Sequence, residues 1–188
     1  MSILASAFIL AGAWIYARGL EATGTRNENP RLSASSQRES ASLTIPWNGI
    51  GRKLVETGTL DIALYKIAPE LLGAETLTVT KENAQDALVL LWGFGLANKN
   101  RVLEAGPMMD PRYGSADNFA STGGWTIGAG SAMDHYSKHA LVTLTETQQR
   151  LVERVAKNIY RPCCDNSTYF PDCNHGMAML GLLELLAA

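Results

Sequence analysis

Every cysteine of the chain, and one of its three histidines, falls within the stretch YRPCCDNSTYFPDCNHG at 160–176. All six Cys and His residues lie between positions 135 and 175: His135, His139, Cys163, Cys164, Cys173 and His175. Five of the six methionines (Met108, Met109, Met133, Met177 and Met179) fall between 108 and 179. Soft donors gathered in this way point first to a metal. Three cysteines and a histidine make a known four-ligand set for zinc. Thiolate, imidazole and thioether together also suit copper(I). Cys163, Cys164, Cys173 and His175 are the leading candidate ligands.

Two other readings of the same residues stay open. Neighbouring cysteines such as Cys163 and Cys164 close on each other only through a strained eight-membered ring, so Cys173 is the natural partner for either. One disulfide would then staple the loop and leave one thiol over, since the cysteine count is odd. Alternatively the thiols work in thiol–disulfide exchange. Cys173 precedes an apolar helical run, and the N–H groups and dipole of a helix start favour thiolate.

His135 and His139 stand four apart in HYSKH, a spacing that places both imidazoles on one helix face, where they can share an ion. The general-base Glu of the zinc-protease pattern is missing, with Tyr136 in its place. The pair is therefore a secondary candidate, beside ordinary hydrogen-bonded histidines. Ser121 in STGGW has no base placed near it by sequence. GFG at 93–95 has neither a preceding strand nor a following Lys-Ser/Thr, so it is not a nucleotide loop. No catalytic motif emerges. Net charge is −2 with basic residues scattered, which removes nucleic acid from the expected partners.

The elements that must position these residues read as mostly α. Ile50, Leu54 and Val55 share a helical face; the pattern breaks at Gly58 and resumes at Ile62, Leu64, Tyr65 and Ile67. Thr80 is a candidate N-cap for a helix whose apolar set is Ala84, Ala87, Leu88, Leu91, Trp92 and Leu96. Residues 106–131 form a long Gly-rich loop whose aromatics argue for order. Thr145 and Gln148 form a capping-box pattern opening a helix that Pro162 stops, with Leu151, Val152, Val155 and Ile159 facing inward. HGMAMLGLLELLAA reads as a last, nearly all-apolar helix, which offers a face to a protein partner or a second copy. No strand run stands out. At 188 residues the chain suits one domain with a sizeable core.

The first seventeen residues carry no charged side chain, and Trp14 and Tyr16 suit a membrane interface. Residues 1–20 are expected to form a membrane-anchor helix, with a cleaved signal peptide or a buried helix as competitors. Residues 21–44 read as a polar flexible stalk and residues 45–188 as a single helical domain. Arg18, Arg26, Arg31 and Arg38 follow the apolar run, which by itself would keep the domain cytoplasmic. The stalk composition instead favours an extracytoplasmic domain.

From Cys164 the loop reads CDNSTYFPDC. This partly resembles the CDGSH iron–sulfur motif, with Cys164, Ser167, Pro171 and Cys173 matching, and the resemblance implies a [2Fe–2S] cluster held by three cysteines and a histidine. The first two cysteines here are adjacent, not one apart, and His175 follows Cys173 by two residues where that family has four. The segments NIYRPCCDNSTYFPDCNHGMAMLGLLEL, LLWGFGLANKN and ASTGGW make most of the soluble part similar to a group of small membrane-anchored prokaryotic proteins. That resemblance implies extracytoplasmic placement and no particular activity.

Overall fold

A computed structural model describes residues 42–188. The expected anchor at 1–20 and stalk residues 21–41 lie outside the described residues. Seven α-helices and two short antiparallel strand pairs make up the described chain, so the mostly-α expectation holds.

In order, the elements begin with β1 (Leu43–Pro46), α1 (Ile50–Glu56), α2 (Pro69–Gly73), β2 (Thr76–Val79) and α3 (Ala84–Ala97). There follow α4 (Arg101–Ala105), three single 3-10 turns between Pro107 and Asn118, α5 (Ala132–His135) and α6 (Glu146–Asn158). The chain closes with β3 (Tyr160–Arg161), β4 (Asn166–Ser167) and α7 (Asn174–Ala187).

Strands appear where none was expected. β1 pairs antiparallel with β2, Ile45 opposite Leu77, and both side chains are buried. The first two residues of β1 are the last two of the expected stalk, so the ordered domain starts slightly earlier than the composition suggests. Two strands this short carry too little alternation to be legible alone, and burial of one face is what fixes them.

The expected second helical run at Ile62–Ile67 is instead a series of turns. The Asp61 carboxylate accepts the Ala63 N–H at 2.8 Å and the Asp61 carbonyl accepts those of Leu64 and Tyr65, both at 3.0 Å. Ile62 and Leu64 are exposed. Nor is Thr80 the N-cap of α3. The cap position is Asn83, whose side chain accepts the Thr80 N–H at 2.8 Å and donates to the Thr78 carbonyl at 2.7 Å. That exchange ties the end of β2 to the start of α3 and outcompetes a threonine cap.

The core is built on α3 against α7. Leu90, Phe94, Leu96, Met177 and Leu180 are fully buried, each contributing about 1.5–3 kcal/mol by leaving water. The two backbones meet at Gly95 and Gly181. A Cβ on Gly95 would lie 2.2 Å from the Met177 carbonyl oxygen, and one on Gly181 would lie 2.7 Å from that of Leu91. Gly93 makes room for Trp125 in the same way, 2.9 Å from its ring. Helix packing thus accounts for the GFG at 93–95. Of the five clustered methionines, Met108 and Met177 are core residues and Met109 is exposed.

The Gly-rich loop is held by aromatic anchors. Trp125 Nε1 donates to the Thr59 carbonyl at 2.8 Å, and Trp92 Nε1 to the Ser121 carbonyl at 2.7 Å. Tyr113, Phe119 and Phe170 form a ring cluster with centroids 5.2–5.7 Å apart. This cluster joins the Gly-rich loop to the cysteine loop. The Thr145–Gln148 capping box is present at the start of α6. That helix ends at Asn158 because the chain turns into β3 before Pro162 is reached. Leu151, expected inside, is 39% exposed.

Candidate metal centre

The three cysteines come from two structures that the fold presses together. β3 and β4 form a tight hairpin, Tyr160 opposite Ser167 and Arg161 opposite Asn166. Its turn begins with Arg161-Pro162-Cys163-Cys164, closed by the Cys164 N–H to the Arg161 carbonyl at 3.1 Å. Proline in second place presets the turn, and Asp165 follows in the left-handed region at φ 53°. Cys163 and Cys164 therefore ride on the hairpin tip. Cys173 is the N-cap of α7, its Sγ accepting the Gly176 N–H at 3.4 Å. The Ser121 N–H to the Asp172 carbonyl, 3.0 Å, pins the approach to that cap from the Gly-rich loop.

Cys164 Sγ lies 3.5 Å from Cys163 Sγ and 3.2 Å from Cys173 Sγ, and all three sulfurs fall within 4.8 Å of one another. All three are free thiols; Cys163 is exposed and the other two are partly buried. A metal–sulfur bond of about 2.3 Å places thiolates on one ion roughly 3.8 Å apart. The triad fits a thiophilic ion with changes in sulfur–sulfur distance of at most about 1 Å.

Behind the triad sits a residue that the sequence reading passed over. Arg161 is buried, and its Nη1 donates to Cys173 Sγ at 2.9 Å. Its Nη2 donates to Asp172 Oδ1 at 2.8 Å, to the Phe170 and Ser167 carbonyls at 2.5 and 3.2 Å, and to the Asn166 side chain. The other Asp172 oxygen accepts from Asn166 Nδ2 at 3.0 Å, so both carboxylate oxygens are hydrogen-bonded. Gly176 makes this possible: a Cβ there would lie 2.5 Å from Arg161 Nη1. The only signal for Arg161 was its place in a loop already under suspicion.

These contacts divide the thiols electrostatically. Burial alone would raise the Cys173 pKa, but the His175 ring, the Gly176 N–H, the Cys164 thiol and the Arg161 charge outweigh it and bring it down to about 6. Cys164 is pushed up to about 12 by burial, by its hydrogen bonds with Cys173 and Cys163, and by the Cys173 charge. Two thiolates this close do not ionise independently, and Cys173 takes the charge.

His175 stands beside Cys173 without joining the three-sulfur set. Of the four leading candidate ligands the three cysteines come together, and the mostly helical chain around them is not the small β-rich fold of the CDGSH family.

His135 and His139 meet each other but not the sulfurs. The segment between them is not helical: α5 ends at His135 and Ser137 turns at φ 53°. The rings still come together, His135 Nδ1 lying 3.2 Å from His139 Nε2 and 3.3 Å from the Thr59 hydroxyl. His135 Nε2 lies 2.8 Å from the Ala129 carbonyl, which requires an N–H there and makes Nδ1 an acceptor. Burial, and then the neighbouring His135, lower the His139 pKa. Among the described residues no third ligand group joins them. Ser121 is fully buried.

A second unanticipated residue is Glu184, the one charge in the apolar α7. It is fully buried, accepting from Asn98 Nδ2 at 2.5 Å, and burial pushes its pKa up to about 8.

No family model, curated protein or solved structure matches the chain. Among the described residues no helix is long and apolar enough to cross a membrane.

Proposed function

We propose that this is a metal-binding protein whose Cys163, Cys164 and Cys173 hold one thiophilic ion, copper(I) or zinc, tethered to a membrane through residues 1–20. The observation that carries the reading is the convergence of three sulfurs from a hairpin tip and a helix cap within 4.8 Å. Three soft donors with one side open suit trigonal copper(I) directly, and suit zinc with His175 or an outside ligand as the fourth. The composition of the stalk, and the resemblance to small membrane-anchored proteins, favour an extracytoplasmic domain. The apolar α7 presents Leu186 outward, the feature that supports a protein partner or second copy.

The test is elemental analysis of the full-length chain, purified anaerobically, with an absorption spectrum and a Cys163→Ser/Cys173→Ser double variant alongside. One equivalent of metal that disappears in the variant supports the reading. Wild-type protein that takes up neither copper(I) nor zinc in stoichiometric amount ends it.

A further inference from the structure

The exchange chemistry of the same loop does not require an ion. Cys164 Sγ and Cys173 Sγ are 3.2 Å apart and come from separate elements, so closing to a disulfide of about 2.05 Å needs a shift of roughly 1 Å. Cys163 is nearly as close to Cys164, but that pair is adjacent in sequence and its ring is strained. The Cys173 sulfur is also the only one of the three aimed at by two nitrogen donors, Arg161 Nη1 at 2.9 Å and the Gly176 N–H at 3.4 Å. Those donors stabilise negative charge on that sulfur whether it is attacking or leaving.

We propose that Cys173 and Cys164 form a dithiol that exchanges with small disulfides, Cys173 as the attacking sulfur and Cys164 as the resolving one. Cys173 Sγ bonds to one sulfur of the external disulfide as the external S–S bond breaks, and the departing half leaves as a thiolate that takes a proton from solvent. Cys164 then releases its proton to solvent and attacks Cys173 Sγ, expelling the second half as a thiolate. The protein dithiol loses two electrons and the external disulfide gains them, ending as two thiols. Cys163, exposed on the turn, takes no part. The activity belongs to the ion-free chain and stands whether or not the metal reading does.

The experiment uses the full-length chain, with metal content recorded as isolated, then reduced and treated with chelator. Oxidised glutathione is added, free thiols are trapped with an alkylating agent at intervals, and peptides are mapped by mass spectrometry. The expected product is an intramolecular Cys164–Cys173 disulfide with Cys163 still alkylated and two glutathiones released per chain. Cys164→Ser should accumulate glutathione on Cys173, and Cys173→Ser should lose the intramolecular link while its circular dichroism stays that of the parent. A link involving Cys163, or stable glutathione on Cys163 alone, overturns the proposal. Stoichiometric metal with no Cys164–Cys173 link would sink the exchange activity alone; the link without metal would sink the metal reading alone.

Discussion

Gly176→Ala is the smallest change that separates the Arg161 clamp from the rest of the fold. Gly176 lies in the first turn of α7 with no left-handed φ, so alanine meets no backbone strain there. On helix propensity alone the substitution should stabilise the protein by at most about 1 kcal/mol. The new methyl carbon, however, would lie 2.5 Å from Arg161 Nη1, 2.7 Å from Cζ and 3.2 Å from Pro171 Cα. The guanidinium has to retreat, and a buried hydrogen bond to a charged group is worth about 1.5–3 kcal/mol. Crowding adds about 1–3 kcal/mol where the neighbours cannot give. The net expectation is destabilisation of about 2–4 kcal/mol, against the sign that propensity predicts. The same retreat weakens the hold on Cys173, so its titration should move up from about 6 toward an ordinary thiol. Two assays on the metal-free protein read these effects: urea unfolding at pH 7.5, and thiolate absorbance at 240 nm against pH. A variant more stable than the parent, with the thiolate titration unmoved, would refute the clamp.

Glu184→Gln should stabilise the protein at pH 8 and be nearly neutral near pH 4. The folded pKa of about 8 lies above the ordinary 4.5, so the carboxyl favours the folded state fully below 4.5, and that advantage is lost as pH rises to 8. The shift corresponds to roughly 5 kcal/mol as an upper bound, and a pH series of unfolding curves for parent and variant checks it. Gly95→Ala should cost at least about 1–3 kcal/mol, because the obstacle is the Met177 backbone and not a mobile side chain; thermal melting reads it. His135→Ala should leave metal stoichiometry at the parent level while lowering stability, since the ring bonds Ala129 and His139 and does not reach the sulfur triad. His175→Ala, by contrast, should leave the metal bound but change its spectrum or affinity, because that ring stands beside Cys173.

What the sequence disclosed of this site was what lies close along the chain. Cys163 and Cys164 share one turn, Cys173 opens one helix, and proline, capping residues and apolar periodicity mark both. Their approach to 3.2 Å was expected from chemistry, since Cys173 was the only remaining thiol for either. Arg161 was not legible, because an arginine beside a proline in a polar loop is normally solvated. Only the β3–β4 pairing turns it inward, and only the missing side chain at Gly176 gives it space. Helix ends were legible where two local groups satisfy each other, as at Thr145 and Gln148. They were misplaced where a strand competed, as at Thr80. His135 and His139 do come together, but not on one helix face as their spacing suggests, since the chain leaves the helix at His135 and a turn at Ser137 returns it.

A buried guanidinium 2.9 Å from a sulfur looks at first like an argument against a cation at that sulfur. The charge balance says otherwise. Asp172 accepts from Arg161 at 2.8 Å and both its oxygens are engaged, so the pair behind the triad carries no net charge. What a bound ion meets is the charge of the thiolates themselves, softened on one side by directed N–H donors. Such donors around a ligating sulfur orient it and tune its basicity, the ordinary work of groups just behind a metal's ligands. The same donors also steady a leaving or attacking thiolate. Metal binding and disulfide exchange therefore ask for one arrangement at Cys173, and they differ in what they ask of Cys163: a ligand in the first case, a bystander in the second. Cys163 is the exposed member of the three, at the tip of a turn, and its role is what separates the two chemistries.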